Sequence, residues 1–450
     1  MKIKISIKKL LPSFLIDFYH YFFALISAIV FLFPSRQWRG SPFWAARRLI
    51  VIGITGTSGK STTVDFITRI LEEAGNKVVS NSSIRFKAGK KEWPNNIKMG
   101  MPGRFFMQKL LRQGVKEKCK YAVLEVTSEG IKQYRHKFIH FNTAVFTNLT
   151  PEHIESHGGF ENYRNEKLKL FKATKNMHII NADDENSDYF TKIPSSKKYF
   201  FGIKDTLIID GRRLLEYDVK AKNIINNSDG IKFEVRGTKF HLNLLGEFNV
   251  YNALAAISVA LSEGISLQIA KKALEKVKSI PGRMEVVIKS PFTVIVDYAH
   301  TPEQLESVYK TLSQNPKSQI PNPKQVQNPN IQNSKLICVL GSCGGGRDKW
   351  KRPVLGQIAK KYCKEIIITN EDPYDENPAE IIDQVAQGAG PDAKKILDRR
   401  EAIKNALKLA KLNDVVIITG KGSELWMCVA DGKKIPWNDK EIIKKELQKQ

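Results

Sequence analysis

The 450-residue chain has room for two or three domains, and its 42% hydrophobic and 26% charged residues are typical of a globular protein. The net charge of +26 would suit nucleic acid, an anionic membrane or an anionic substrate. The lysines are spread along the chain without a nucleic-acid-binding motif, which favours a solvated basic surface and no nucleic-acid partner. The five cysteines form no CxxC pair, which predicts reduced thiols in the cytoplasm.

The first 48 residues form a hydrophobic N-terminal segment. Residues 13–33, SFLIDFYHYFFALISAIVFLF, are almost wholly apolar, and basic residues flank both ends. The run is just long enough to cross a bilayer, and no small-residue cleavage site of a signal peptide follows it. Three arrangements stay open: a spanning anchor, an interfacial helix and a helix packed on the protein itself. Aromatic residues and flanking charges favour the two membrane arrangements, with attachment at the inner face of the cell membrane.

A strand, a glycine-rich turn and a helix are predicted next. Residues 49–54 are apolar and β-branched, residues 55–59 read TGTSG, and a helical pattern covers 64–71. Backbone N–H groups of such a turn and the helix N-terminus attract phosphate. Lys60 would reach the β- and γ-phosphates of a nucleotide, and the Ser61 hydroxyl would contact Mg²⁺. The strict GxxxxGK[ST] spacing fails because Ile54 stands at its first glycine, so an ordinary glycine turn is the alternative.

Strand and helix patterns alternate after residue 49, which predicts a mostly parallel sheet with helices on both faces. Strand patterns cover 121–126 and 143–148, short strands about 195–244, and a helix 246–261. Pro281-Gly282 marks a boundary, which predicts a central domain over 49–280 and a C-terminal domain over 281–450.

The C-terminal part repeats the alternation. Strand patterns stand at 292–296, 336–340, 365–369 and 415–419. Residues 313–334 are rich in Asn, Gln, Pro and Lys and cannot bury a core, which predicts a disordered surface loop.

Two strand ends carry residues suited to a nucleotide-bound metal. Glu125 ends the 121–126 strand, and Thr150-Pro151-Glu152-His153 follows the 143–148 strand. Mg²⁺ prefers oxygen ligands and water, so Glu125 is a candidate ligand, direct or through water. A lone Glu or His is more often a surface or core residue, and only the combination with the phosphate turn favours a site.

Ten segments spanning residues 49–437 resemble the Mur ligase family, and within it the tripeptide synthetases. In chain order they read GITGTSGKSTT, EVTSEGIKQYR, FTNLTPEHIESHGGFENYRNEKLKLF, LLGEFNVYNALAA, PGRMEVV, VDYAHTPEQL, GSCGGGRDKWKRPVLG, TNEDPYDENP, DRREAI and GKGSE. The resemblance implies a central P-loop-type domain, a Rossmann-like C-terminal domain and an ADP-forming acid–amino-acid ligase that uses ATP and Mg²⁺. The implied substrates are a peptidoglycan-precursor muramyl peptide and a free amino acid, and a monomer is favoured.

The family mechanism, through an acyl-phosphate, implies roles for matching residues. The catalytic set is Lys60, Glu125, His153 and Lys167. The metal partners are Ser61, Glu125, His153 and Lys167, the last as a carbamate. The ATP-binding residues are Gly56, Thr57, Gly59, Lys60, Ser61, Thr62, Asn249, Asn252, Arg283, Asp297 and His300. Ser128 and Arg135 would hold the muramyl peptide, and Arg347, Asp372, Gly420 and Glu424 the incoming amino acid.

Departures from the family pattern bear on the substrates. The uridine-nucleotide-binding N-terminal domain is not matched, and the hydrophobic segment stands in its place. Glu129 and Ser423 replace the usual histidines. Tyr374 stands where diaminopimelate-adding members carry an arginine for the distal carboxylate, and a phenol cannot make that charged contact. The sequence therefore leaves open which amino acid is added and whether the acceptor carries UDP.

Two rival functions remain. A folylpolyglutamate-synthetase-like ligase shares the fold and chemistry, although SCGGGRDKWKRP, EDP and GKGSE favour the peptidoglycan side. A non-catalytic, membrane-attached, nucleotide-binding scaffold is the other, and the intact set of Lys60, Glu125, His153 and Lys167 argues against it.

Overall fold

The computed structural model describes residues 12–35, 49–209, 212–214, 216–227, 229–313 and 334–449. Two large sheets carry the fold, each flanked by helices, and the predicted α/β class is confirmed. The predicted loop 313–334 lies outside the described residues apart from its ends, and so do the basic flanks of the hydrophobic segment.

The first sheet has eleven strands, in the order β13-β12-β11-β8-β7-β6-β1-β5-β2-β3-β4. Its centre is parallel, and both edges turn antiparallel, at β11-β12-β13 and at β2-β3-β4. The strands are β1 Ile50–Thr55, β2 Val78–Asn81, β3 Arg85–Ala88, β4 Lys91–Pro94, β5 Tyr121–Glu125, β6 Thr143–Phe146, β7 Met177–Asn181, β8 Lys197–Gly202, β11 Val219–Asn227, β12 Gly230–Val235 and β13 Thr238–Leu242. A separate hairpin joins β9 Leu207–Ile209 and β10 Arg212–Leu214.

Central β1 pairs in parallel with both β5 and β6, so all three strands end at one edge of the sheet. The residues after these ends are those for which ligand contacts were predicted, because parallel strands deliver their carboxyl ends to the same place. Gly53 lets β1 lie close to the side chains that pack on it, because a Cβ there would lie 2.8 Å from the Phe141 ring.

Helices cover both faces of this sheet. After an N-terminal helix, α1 Ser13–Val30, they are α2 Lys60–Glu73, α3 Arg104–Lys116, α4 Ser128–Lys132, α5 Ile154–His157, α6 Phe160–Ala173, α7 Ser187–Thr191, α8 Phe248–Ser262 and α9 Leu267–Glu275. The predicted elements at 49–54, 64–71, 121–126, 143–148 and 246–261 are all present with small shifts at their ends.

The second sheet has six strands, in the order β14-β15-β19-β16-β17-β18, and only edge strand β14 is antiparallel. Its strands are β14 Glu285–Ile288, β15 Thr293–Val296, β16 Leu336–Leu340, β17 Glu365–Thr369, β18 Lys394–Ile396 and β19 Val415–Ile418, and a small hairpin follows with β20 Trp426–Cys428 and β21 Lys434–Pro436. Its helices are α10 Pro302–Ser313, α11 Lys351–Tyr362, α12 Pro378–Ala389, α13 Arg399–Leu409 and α14 Asp439–Leu447.

Helix α1 lies along the first unit rather than away from it. Its small buried residues Ala24, Ser27 and Ala28 face inward, near helix α3. The Tyr21 ring meets that of Phe138 edge-on, with 5.3 Å between centroids. Within the described residues no helix is both long and apolar enough to span a bilayer. Of the three arrangements left open by the sequence, the contacts of α1 show a helix packed on the protein.

Candidate active site

The turn between β1 and α2 is built around two glycines with positive φ. Gly56 has φ 155° and Gly59 has φ 78°. A Cβ at Gly56 would lie 1.9 Å from Thr147 Oγ1, and one at Gly59 would lie 2.2 Å from Asn252 Oδ1. The turn is therefore closed to side chains at both positions. No side chain caps the start of α2, which leaves its first N–H groups for an anion.

Lys60 folds back over this turn. Its Nζ donates to the carbonyl oxygens of Gly56 at 2.9 Å and Thr57 at 2.7 Å. The ammonium thus stays beside the helix N-terminus without a carboxylate within hydrogen-bond distance among the described residues. Two cationic features, the lysine and the helix end, converge where phosphate was predicted.

The next residue, Ser61, contacts the predicted metal carboxylate. Ser61 Oγ donates to Glu125 Oε2 at 2.7 Å and lies 2.7 Å from Ser83 Oγ. The Ser83 N–H also donates to Glu125 Oε2, at 2.9 Å. Gly100 packs so tightly against Glu125 that a Cβ there would lie 2.2 Å from Oε1. This hydroxyl–carboxylate pair at a phosphate turn supplies the oxygen ligands that suit Mg²⁺.

Lys167 is the most unusual ionisable group of the region. Its residue is 1% exposed, and Nζ donates to the Gly56 carbonyl at 2.7 Å. Burial, reinforced by the Lys60 charge, lowers the pKa of the Lys167 ammonium well below its usual range. The buried amine therefore favours the uncharged, nucleophilic form.

His153 and Glu152 lie on the other side of the turn, near the second sheet. His300 Nε2 lies 3.0 Å from Glu152 Oε1, and His153 Nδ1 lies 3.4 Å from Arg347 Nη1. Burial lowers the pKa of His153 to about 4. The charge of Arg347 also lowers this pKa, whereas the charge of Glu152 acts to raise it. At neutral pH the His153 ring is uncharged, as a metal ligand must be.

Burial acts to raise the pKa of Glu152, yet His153 and the hydrogen bond from His300 hold it well below its usual range. Glu152 therefore stays ionised inside the protein. The sequence predicted a role for the histidine of this stretch but none for its glutamate, although both stand in the same quoted segment.

The two asparagines predicted at the nucleotide lie under the turn. Asn252 Nδ2 donates to Asn249 Oδ1 at 3.1 Å, and Asn249 Nδ2 donates to the Leu245 carbonyl at 2.8 Å. Thr57 Oγ1 lies 3.0 Å from Tyr163 OH. Thr62 is buried in the first turn of α2.

Two predicted nucleotide residues come from the second sheet. Arg283 Nη2 donates to Ser83 Oγ at 3.3 Å, so it reaches the serine that contacts Ser61 and Glu125. Asp297 instead accepts the N–H groups of Met284 at 2.7 Å and Ala299 at 2.6 Å, and it is 5% exposed. Asp297 therefore holds the backbone next to Arg283 in place.

Two of the four residues predicted for the incoming amino acid, Asp372 and Glu424, meet beyond the end of β17. Lys421 Nζ lies 2.9 Å from both Asp372 oxygens and 2.7 Å from Glu424 Oε2. Lys98, from the loop before α3, places its ammonium on the same two carboxylates, 2.9 Å from Glu424 Oε2. The sequence predicted Asp372 and Glu424 but neither lysine.

Arg347 and Gly420 lie at the edges of this pocket. Arg347 turns to His153 as described above. Gly420, with φ 101°, lies so close to Glu371 that a Cβ there would be 1.9 Å from Oε2. The neighbouring Asp348 accepts the N–H groups of Ile154 at 3.2 Å and Glu155 at 2.9 Å, which ties the two sheets together at His153.

The predicted acceptor residues form a third group. Ser128 begins α4 and is buried. Arg135 Nη2 donates to Gln133 Oε1 at 2.7 Å, and its Nη1 donates to the Met101 carbonyl. The structure brings together Ser61 with Glu125, and His153 with Arg347, but these pairs remain two separate groups beside the turn. Among the described residues no three His, Cys, Asp or Glu side chains form a metal cluster.

Known protein domains resemble both parts of the chain. Residues 54–260 match the Mur ligase middle domain, and residues 282–422 match the Mur ligase glutamate ligase domain. The chain is 37% identical over 406 residues to a UDP-N-acetylmuramoyl-L-alanyl-D-glutamate–2,6-diaminopimelate ligase of Clostridium acetobutylicum, covering 88% of this chain and 78% of that protein. It is 33% identical to a UDP-N-acetylmuramyl-tripeptide synthetase of Roseiflexus, covering 87% and 77%.

Solved structures share the fold. A UDP-N-acetylmuramoyl-L-alanyl-D-glutamate–2,6-diaminopimelate ligase matches with a TM-score of 0.58 and 28% identity, over 90% of this chain and 79% of that one. A folylpolyglutamate synthase of Mycobacterium tuberculosis has a TM-score of 0.59 but 16% identity, over 83% and 89%, which shows the fold alone. The chain therefore belongs to the Mur ligase family of ATP-dependent, ADP-forming ligases, which add amino acids to UDP-N-acetylmuramoyl peptides.

Proposed function

We propose that this chain uses ATP and Mg²⁺ to join a free amino acid to a muramyl-peptide peptidoglycan precursor in the cytoplasm. The observation that carries the proposal is the cradle in which Lys60 and the uncapped start of α2 adjoin the Ser61–Glu125 pair. A cation, a helix end and an oxygen pair within one turn suit a nucleoside triphosphate with its metal. The same cradle would serve the folate and scaffold alternatives. The 28% identity to the solved diaminopimelate ligase, against 16% to the folylpolyglutamate synthase, favours the muramyl-peptide ligase over the folate ligase.

In the proposed reaction the acceptor carboxylate attacks the γ-phosphorus of ATP, and the bond to ADP breaks. The amine then attacks the acyl carbon, the bond to phosphate breaks, and the amine loses a proton as the amide forms. Lys60 would neutralise charge on the transferred phosphoryl group. Ser61 and Glu125 would hold Mg²⁺, which when bound offsets phosphate charge, and His153 would serve a second ion.

Lys167 would act in this reaction as a carbamate. Its uncharged amine can attack the carbon of CO₂: an N–C bond forms, a proton leaves, and the product carries a negative charge. The lowered pKa of Lys167 supports this because only the unprotonated amine reacts. The carbamate would place a carboxylate-like oxygen beside the cradle, suited to a metal.

The second sheet would complete the site as the two units close. Arg283 already reaches Ser83, and His300 reaches Glu152. Asn249 and Asn252 would face the adenine side, Ser128 and Arg135 would hold the muramyl peptide, and Arg347 and Gly420 would border the amino acid. Closure would exclude water from the acyl-phosphate, which would otherwise hydrolyse.

The direct test measures ADP release by the full chain with ATP and Mg²⁺, with and without UDP-N-acetylmuramoyl dipeptide, across a panel of amino acids. We expect ADP release that requires both the dipeptide and an amino acid, with a peptide product. Acceptance of a folate in place of the dipeptide would favour the folate ligase. ATP binding without turnover under any of these conditions would favour the scaffold.

We further propose that α1 attaches the enzyme to the inner membrane face as an interfacial helix. Phe14, Phe18 and Phe22 recur at every fourth position and are exposed, Phe14 to 66%. The opposite side of the helix packs on the protein, which leaves the aromatic side for the lipid boundary. Basic residues at positions 2–9 and 36–48 of the sequence would meet anionic lipid.

Two altered proteins test this attachment. Deleting residues 1–40 should abolish sedimentation with anionic lipid vesicles and leave ATP hydrolysis intact. Replacing Phe14, Phe18 and Phe22 by serine keeps the packed side of α1 and should also abolish sedimentation. A full chain that stays in the supernatant, beside a deletion variant that aggregates, would instead make α1 a cover for the protein surface.

A further inference from the structure

Asp372 and Glu424 converge on one point of the second sheet, where the incoming amino acid would bind. Their side chains are 4% and 15% exposed. Burial acts to raise the pKa of Asp372, but Lys421 and Lys98 hold it below its usual range. Both lysines therefore keep this carboxylate ionised in a nearly closed space.

One of the two ammonium groups beside these carboxylates comes from the first sheet. Lys98 lies between β4 and α3, and its ammonium contacts Asp372 and lies 2.9 Å from Glu424 Oε2. Lys421 supplies a second ammonium, with 0% side-chain exposure. Two ammonium groups therefore face two carboxylates, and the charges of these four groups cancel.

The backbone of the Lys98 loop is held in place by side-chain hydrogen bonds. Asn95 Nδ2 donates to the Ser82 and Met99 carbonyls at 2.7 and 2.9 Å, and Asn95 Oδ1 accepts the Lys98 N–H at 3.2 Å. Asn81 donates to the carbonyl of Gly100, two residues on. Lys98 therefore projects from a fixed turn, and its position in the pocket is built into the first sheet.

We propose that Lys98 is a specificity-determining residue that disfavours an incoming amino acid with a basic side chain. This inference rests on the proposed function. A basic side chain would bring a third cation to two carboxylates that already have partners, which disfavours it by like-charge repulsion. Without Lys98, Asp372 and Glu424 would face Lys421 alone and carry one excess negative charge.

The test compares the wild-type chain with Lys98→Met, which keeps the length of the side chain and removes its charge, and with Lys98→Arg, which keeps the charge. We measure kcat/KM with UDP-N-acetylmuramoyl dipeptide for L-alanine, L-serine, L-lysine, L-ornithine and diaminopimelate. The wild type and Lys98→Arg should prefer the uncharged amino acids. Lys98→Met should shift the lysine-to-alanine ratio toward lysine by about tenfold or more. Thermal unfolding with and without L-lysine gives a readout that needs no turnover, and only Lys98→Met should be stabilised by it.

An unchanged ratio and no stabilisation by lysine in Lys98→Met would overturn the inference while ADP release left the proposed function standing. A wild type that prefers lysine would also overturn it. A wild type that releases no ADP with any amino acid would remove the proposed function, and this inference with it.

Discussion

The phosphate cradle and the amino-acid pocket both concentrate charge at the ends of parallel strands, but they satisfy it differently. In the cradle, the ammonium of Lys60 donates to two backbone carbonyls, and the uncharged amine of Lys167 donates to one of them. In the pocket, Lys98 and Lys421 each meet two carboxylates. The cradle therefore keeps positive charge available for an anion, whereas the pocket has already neutralised its own.

This difference predicts which region determines the reaction rate and which determines the choice of amino acid. Unpaired cations gain strongly from phosphate charge that develops during reaction, because they have no competing partner to leave. Paired charges exclude a ligand that would upset the balance. Changes in the cradle should therefore lower turnover for every amino acid, and changes in the pocket should alter the choice among them.

The largest effect should follow Lys60→Ala. Loss of the ammonium removes several kcal/mol of transition-state stabilisation, and kcat should fall about 10³-fold or more. The measurement is ADP release at saturating ATP for an uncharged and a basic amino acid, both of which should decline alike. Arg69→Ala, farther along the same helix and paired with Asp65, serves as the control and should keep near-normal turnover. Near-normal turnover in Lys60→Ala would sink the cradle assignment.

Lys167→Ala should be nearly inactive, on the order of 10²- to 10³-fold slower, because the negative charge of the carbamate would be lost beside Mg²⁺. Formate or acetate should restore part of the rate by supplying a carboxylate, whereas excess bicarbonate should not. Lys169→Ala removes an exposed lysine from the same helix, paired with Glu166, and should behave like the wild type. Full activity in Lys167→Arg would exclude the carbamate, since arginine stays protonated.

A smaller effect should follow Asp348→Ala, which cuts the link between the two regions. Asp348 accepts two backbone N–H groups beside His153 and thereby holds that residue against the second sheet. Its loss should cost about 1 kcal/mol, like a lost helix cap, and lower kcat by about fivefold to tenfold. The KM for ATP should hardly change, because Lys60 is untouched. Asp348→Asn retains one acceptor oxygen, so its kcat should lie between those of the wild type and Asp348→Ala. A fall in ATP affinity equal to the fall in kcat would contradict a positioning role.

The same contrast explains what the sequence could predict. The cradle follows from a local run: β1, the glycines and Lys60 stand within a dozen residues, and their geometry is set by neighbours in the chain. The pocket partner Lys98 carries no motif, and it meets Asp372 only because β4 and β17 belong to sheets that fold against each other. The hydrophobic segment is a similar case. Hydropathy along 13–33 suggests a membrane helix, but it does not show that small residues of α1 pack on the protein.

A third kind of buried ionisable group, one that stays uncharged in the folded protein, should be visible in stability rather than rate. His136 is 4% exposed, and its Nδ1 has no hydrogen-bond partner among the described residues. Burial, with the charges of Lys137 and Lys169, lowers the pKa of His136 to about 3. The folded protein therefore keeps this ring neutral while the unfolded chain protonates near pH 6.5.

His136→Leu should consequently become more stable relative to the wild type as the pH falls. The wild type loses stability once the unfolded state binds a proton that the folded state refuses, so the loss begins near pH 6.5 and ends near pH 3. At pH 5 the linkage amounts to about 2 kcal/mol.

Urea unfolding of both proteins at pH 8 and pH 5 measures this linkage. The difference at pH 8 isolates packing, because His136 is neutral in both the folded and the unfolded state there. A difference in unfolding free energy that is the same at both pH values would show that His136 gains a partner or solvent in solution. A difference that grows by about 2 kcal/mol would show that a buried base that stays neutral in the folded protein makes stability depend on pH.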